Sequence, residues 1–164
     1  MLTIATFKFM NWFDYLMNKN NDFDSGFEYL EHMTDAYIEA RGTTLDLAFS
    51  NAAKGFVDTA IHMDAVDMVE SELITIKANN KFILLHDWLE SILLKLYVEN
   101  KVFRDFDVSI SDYSSGFMLK ANLMGEPLNI EKHKPKVEIK AITFHLMEIN
   151  ESINDFTVKF ILDL

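Results

Sequence analysis

Apolar residues recur along this chain with two different periods, and the periods divide it into strands and helices. Ala36, Ile38 and Ala40 alternate with Tyr37, Glu39 and Arg41, so residues 27–41 read as a strand entry and a half-buried strand, closed by Gly42. Thr43-Thr44-Leu45-Asp46 reads as a capping-box-like helix start with Thr43 as N-cap. The stripe that follows is Leu45, Ala48, Phe49, Ala52, Ala53, Phe56, Val57 and Ala60, with Asp46, Ser50, Asn51, Lys54 and Asp58 on the opposite side. A strand is predicted over 69–78 and a turn at Asn79-Asn80. The most apolar helix then runs over 81–99, striped by Leu85, Trp88, Leu89, Ile92 and Leu96. From there the period is two. Phe106, Val108 and Ile110 form one strand, and Asp112 to Gly116 a hairpin turn. Phe117, Leu119, Ala121 and Leu123 form the next, followed by a long strand over 137–149. In the last strand Phe156, Val158, Phe160 and Leu162 alternate with Thr157, Lys159, Ile161 and Asp163, which puts Asp163 on the face away from the phenylalanines.

The order is strand, helix, strand, helix, then four strands. That predicts an α+β fold: an antiparallel or mixed sheet covered by two main helices, a two-layer single domain over 27–164. Residues 1–26 differ. Aromatic residues crowd between Phe7 and Tyr15, and Asn18 to Asp22 makes a polar stop, so this stretch reads as a short helical extension followed by a linker.

Composition narrows the function classes. With 26 acidic residues against 15 basic ones the formal charge is −11, which repels a phosphate backbone and argues against direct nucleic-acid binding. The same charge suits cations or a basic protein partner. There is no cysteine, hence no disulfide, thiolate metal site or cysteine nucleophile, in keeping with a cytoplasmic protein. No apolar run reaches the roughly 18 residues a membrane helix needs, so no membrane contact is expected. Phosphate loops, nucleophile elbows and zinc spacings are absent from the sequence.

The candidate chemistry lies at two distant points. Asp35, in Glu31-His32-Met33-Thr34-Asp35-Ala36, and Asp163, one residue before Leu164, would make an oxygen-rich anionic pocket if the two stretches meet. Hard divalent cations take carboxylates, carbonyls and water. Against that, two aspartates far apart in sequence are ordinarily solvated turn residues. His32 could orient the carboxylates, or simply donate to a backbone carbonyl at a strand mouth. Lys140 shares a strand face with Ile142 and Phe144, so it either snorkels or meets an anion. His86 is read as structural, and His133 as a residue of a solvated basic loop.

These stretches carry a resemblance. Tyr29 to Ala36, Gly42-Thr43-Thr44-Leu45, Leu85-His86-Asp87-Trp88-Leu89, Gly125-Glu126-Pro127, Glu138-Ile139-Lys140-Ala141-Ile142-Thr143-Phe144-His145 and Ile161-Leu162-Asp163-Leu164 together resemble the archease family. Where that family runs His-Thr-Ala-Asp this chain has His32-Met33-Thr34-Asp35, which keeps the spacing. His133-Lys134-Pro135-Lys136 stands where the family tends to a Gly-Thr pair. The resemblance implies a non-catalytic activator of an RtcB-type RNA ligase of tRNA splicing and RNA repair, promoting guanylylation by GTP and multiple turnover. It also implies a divalent metal held by Asp35, Asp163 and Leu164: calcium, with magnesium or manganese as alternatives. Lys140 then matches a functional lysine of the family. A chaperone-like interaction module without a metal is the alternative; a metal-dependent hydrolase ranks below both, for lack of a general base.

Overall fold

The computed structural model describes residues 25–32 and 34–164; the extension expected over 1–26 lies, but for its last two residues, outside them. The elements are β1 (Gly26–Leu30), β2 (Ala36–Gly42), α1 (Leu45–Ala60), a 3-10 turn (Met63–Ala65), β3 (Glu70–Ala78), α2 (Lys81–Tyr97), β4 (Lys101–Tyr113), β5 (Gly116–Pro127), the short α3 (Ile130–His133), β6 (Ala141–Ser152) and β7 (Asp155–Asp163).

The α+β expectation holds, but the strands divide between two sheets. One runs β1-β2-β7-β6 and the other β3-β5-β4. Every pairing is antiparallel. Both helices pack against strands of both sheets, so a single core serves them all. Its largest members include Trp88, Phe49, Phe56 and Phe160, each fully buried. Burial of such a side chain contributes about 1.5–3 kcal/mol.

The second sheet corrects the reading of α1. Ser50 and Asn51, assigned to its polar side, are buried. Ser50 Oγ donates to the Phe106 carbonyl on β4 at 2.6 Å, and Asn51 Nδ2 to the Arg41 carbonyl on β2 at 2.7 Å. Short polar side chains can leave water when strand carbonyls take their hydrogens. The N-cap is Thr44, not Thr43: its Oγ1 accepts from the Leu47 amide at 3.1 Å. Asp46 serves no capping box and instead accepts from the Ile110 amide at 3.0 Å.

Helix α2 follows its predicted stripe, with Leu85, Trp88, Leu89, Ile92 and Leu96 buried. Trp88 Nε1 donates to the Phe49 carbonyl on α1 at 3.0 Å, tying the two helices. Lys95 is buried as well and pairs with Glu72 on β3, which Lys101 also meets at 2.9 Å. Those lysine contacts hold the Glu72 carboxyl below its ordinary range. β4 carries a bulge between Phe103 and Asp105. Opposite it, a Cβ on Gly125 would stand 1.9 Å from the Val102 carbonyl oxygen, so only glycine fits there.

The predicted long strand over 137–149 starts later, at Ala141, and is irregular. Between the pairs Thr143↔Ile161 and Glu148↔Lys159, β6 advances five residues while β7 advances two, and Leu146 takes φ 54°. Period-two alternation therefore fails across this segment. His133 is likewise not a solvated loop residue. It is fully buried, its Nδ1 accepts from the Asn129 amide at 3.0 Å, and its Nε2 faces Glu126 Oε1 at 2.9 Å. With Nδ1 accepting, Nε2 carries the proton. Glu126 also accepts from the Asp67 amide and from Lys132, and these donors hold its carboxyl at about 2.

Candidate functional site

His32 and Asp35 lie between β1 and β2, and β2 pairs with β7 from Gly42↔Phe156 to Ala36↔Leu162. The ladder ends there: Asp35 lies in the bend one residue before β2, and Asp163 is the last residue of β7. Buried Ala36, Ile38 and Ala40 face the core with Val158, Phe160 and Leu162. By alternation Asp163 lies on the other face, with Tyr37 and Ile161. Directly opposed residues of an antiparallel pair have Cβ atoms about 4.5–5.5 Å apart. The pairing of β2 with β7 thus carries the two stretches that hold these aspartates to the same end of the sheet.

Lys140 precedes β6 rather than sitting within it. Ile139 is buried, and its amide donates to the Tyr97 hydroxyl at 2.9 Å. The Lys140 amide donates to the Asp163 carbonyl at 2.8 Å, and its Nζ to the Leu164 oxygen at 2.6 Å. Lys140 is exposed, and the anion-type partner expected for it is that oxygen. The Leu164 side chain packs on the core, which fixes where the oxygen sits.

His32 faces Asp35, with Nδ1 3.5 Å from Oδ2. Its ring meets Tyr37 edge-on at 6.4 Å. The Tyr37 hydroxyl reaches the Leu146 carbonyl at 3.4 Å, and burial, reinforced by Glu148, pushes its pKa up. Further along this face Lys159 lies 3.5 Å from Glu39 and 3.3 Å from Glu148, and Glu39 pairs with Arg41. These charges compensate one another. Asp163, by contrast, is exposed, with no cationic side chain in contact among the described residues.

Do these groups fit the divalent ion that the resemblance implies? Two carboxylates and one backbone-type oxygen are the donors calcium or magnesium takes. Calcium uses about 6–8 oxygens, so Asp35, Asp163 and Leu164 would supply part of a shell and leave the rest to water or a partner. The Leu164 oxygen already accepts from the Lys140 ammonium, which marks it as a place where positive charge is stabilised. Residue type and register agree with the ion; His32, Asp35 and Asp163 do not form a compact three-ligand cluster.

Such a cluster exists elsewhere. His86, Asp87 and Glu90 on α2 bring one ligand atom each within 4.8 Å of one another. A structural role alone was expected for His86. The signal available in sequence was the spacing of a histidine, the next residue and the residue one helical turn on.

Fold and site together define a small α+β domain that carries an aspartate at each of two strand ends brought to one side of a sheet. The chain belongs to the archease family: the model of the Archease protein family (MTH1598/TM1083) matches residues 27–164. Protein archease of Pyrococcus abyssi is 37% identical over 124 residues, covering 76% of this chain and 87% of that protein. Protein archease of Methanothermobacter thermautotrophicus is 33% identical over 139 residues, covering 85% and 99%. Among solved structures, protein 1598 of Methanobacterium thermoautotrophicum superposes with a TM-score of 0.72 at 31% identity, covering 85% of this chain and 99% of that one. An archease of Thermotoga maritima, described as a "possible chaperone", gives 0.56 at 16% identity over 82% and 94%, a likeness of fold.

Proposed function

We propose that this protein activates an RtcB-type RNA ligase through an open divalent-metal site, assisting GTP-dependent guanylylation of the ligase without itself catalysing ligation. The observation that carries the reading is the β2–β7 register, which runs Asp35 toward Asp163 beside the Leu164 oxygen. A divalent ion held by Asp35, Asp163 and Leu164 would supply positive charge next to nucleotide phosphates. The protein's own groups prepare that place. Lys140 fixes the Leu164 oxygen by its Nζ and the Asp163 main chain by its amide, and His32 steadies Asp35. The acidic surface suits a ligase whose own phosphate-binding site is basic.

The test is a ligation assay with purified RtcB-type ligase, GTP and RNA ends, with and without this protein. Stimulated guanylylation and multiple turnover are expected from the wild type. Asp35→Ala with Asp163→Ala should abolish both while the melting transition stays cooperative. Normal stimulation by the double variant refutes the proposed role of the carboxylates, and no stimulation by the wild type refutes the activator itself.

A second reading rests on apolar exposure. Phe144 and Leu146 in the irregular part of β6 are 52% and 46% exposed, a surface a chaperone-like module could use. Suppressed aggregation of unrelated proteins, with no effect on ligation, would favour it.

A further inference from the structure

We propose that His86, Asp87 and Glu90 form a second cation site, separate from Asp35 and Asp163, that takes a transition-metal ion of the zinc class. All three lie within residues 86–90, in the middle of α2. His86 Nδ1 is 3.1 Å from Asp87 Oδ1 and 4.0 Å from Glu90 Oε2. Among the described residues neither carboxylate has any other cationic partner. Two anions therefore converge on one nitrogen, which in neutral imidazole can donate at most one hydrogen. A divalent ion at that point satisfies all three groups, because the nitrogen then offers its lone pair and each carboxylate an oxygen. Ligands each about 2.1 Å from a zinc ion stand roughly 3.4 Å apart at the tetrahedral angle. The observed separations bracket that value, so small side-chain rotations complete the geometry.

The histidine is already oriented. Its ring stacks on Phe144 of β6, with centroids 4.5 Å apart and 11° between planes. That stack restricts the imidazole and shields one of its faces from water. Asp87 and Glu90 stay partly open, leaving room for a water or a partner's ligand as the fourth donor. Ligand type separates this site from the hard-oxygen one: imidazole favours zinc, cobalt, nickel or copper, whereas calcium and magnesium take oxygen. Phe144 is three residues beyond Ala141, which pairs with Asp163. β6 thus runs from beside Asp163 to the ring that stacks on His86.

The experiment uses the full chain stripped by chelator and then saturated with calcium. Zinc is titrated by calorimetry, and cobalt by its visible absorption, which reports coordination geometry. One zinc per chain is expected, together with a low-symmetry cobalt spectrum. Loss of outer-shell partners alone costs about 10–100-fold in affinity, so loss of a direct ligand in His86→Ala or Glu90→Gln should weaken zinc at least about 100-fold. His32→Ala and Asp35→Ala should leave zinc affinity unchanged. Glu90→Gln is isosteric at a half-exposed helix position and keeps the fold if His86→Ala does not. Unchanged zinc affinity in Glu90→Gln, loss of zinc in His32→Ala instead, or no stoichiometric zinc at all would each overturn the proposal.

Discussion

Replacing Asp163 by asparagine should act in opposite directions with and without metal. The proposed ion site sets Asp35 opposite Asp163, one step beyond the Ala36↔Leu162 pair that ends the β2–β7 ladder. Like charges so placed destabilise a sheet by roughly 0.2–1 kcal/mol. Coulomb's law gives the same scale: two unit charges about 5 Å apart in water interact by about 0.8 kcal/mol. His32 beside Asp35 and the Lys140 ammonium beside Leu164 offset part of this. A gain of about 0.5 kcal/mol is therefore expected for Asp163→Asn in chelator, near the middle of the opposed-charge range. In a domain of this size that raises Tm by about 1–2 °C.

With metal the sign reverses. An ion present at a hundredfold excess over its Kd stabilises the wild type by about 2.7 kcal/mol. That corresponds to roughly 5–11 °C. The asparagine variant keeps a carbonyl oxygen but loses the charge, and should lose most of this shift. The assay is thermal unfolding by circular dichroism in chelator and in excess calcium, at low salt. At about 1 M ionic strength the Debye length falls to roughly 3 Å, and the gain in chelator should vanish. An asparagine variant less stable than wild type in chelator, or one that retains the full calcium shift, would refute the placement of the two carboxylates and the ion between them.

Two other perturbations probe the scaffold. Glu126, with its carboxyl held at about 2, gains stability in the fold that is fully present above its unfolded value of 4.5 and is lost as pH falls toward 2. Glu126→Gln should flatten the acid limb of the urea midpoint against pH within that window; an unchanged limb would mean that Lys132 and His133 do not hold the carboxylate. Ser50→Ala removes the bond to the Phe106 carbonyl and should cost about 0.5–1.5 kcal/mol in urea unfolding, where a solvated helix position would cost nothing.

What the sequence disclosed follows from which forces are local. The α1 and α2 stripes and the β4–β5 hairpin were legible because a buried face imprints its period on the chain. The partition into two sheets was not. Ser50 and Asn51 look solvent-facing until β4 and β2 supply carbonyls from distant parts of the chain. His133 hid for the same reason, since its environment comes from Asn129, Glu126 and the turn around Asp67. Lys140 was placed by alternation on a strand that begins only at Ala141, one residue later. Asp35 and Asp163 were found as residue types, and the phase of β7 gave the face of Asp163. That the stretches holding them meet at one end of a sheet needed the β2–β7 register, which no spacing within either stretch contains.

The composition of the proposed ion site also bears on why such a protein would act on another rather than alone. A cage that filled a calcium shell by itself would bind tightly and buffer the ion. Asp35, Asp163 and Leu164 cannot do so, because about 6–8 oxygens are required. Lys140 further holds the Leu164 oxygen, so the ion competes with an ammonium already there. Both features weaken the site in isolation and favour it when a triphosphate brings additional oxygens and negative charge. Metal affinity measured with a ligase and a nonhydrolysable GTP analogue present should then exceed that of the protein alone, and by linkage the ion should tighten the protein's binding to the nucleotide-loaded ligase by the same factor.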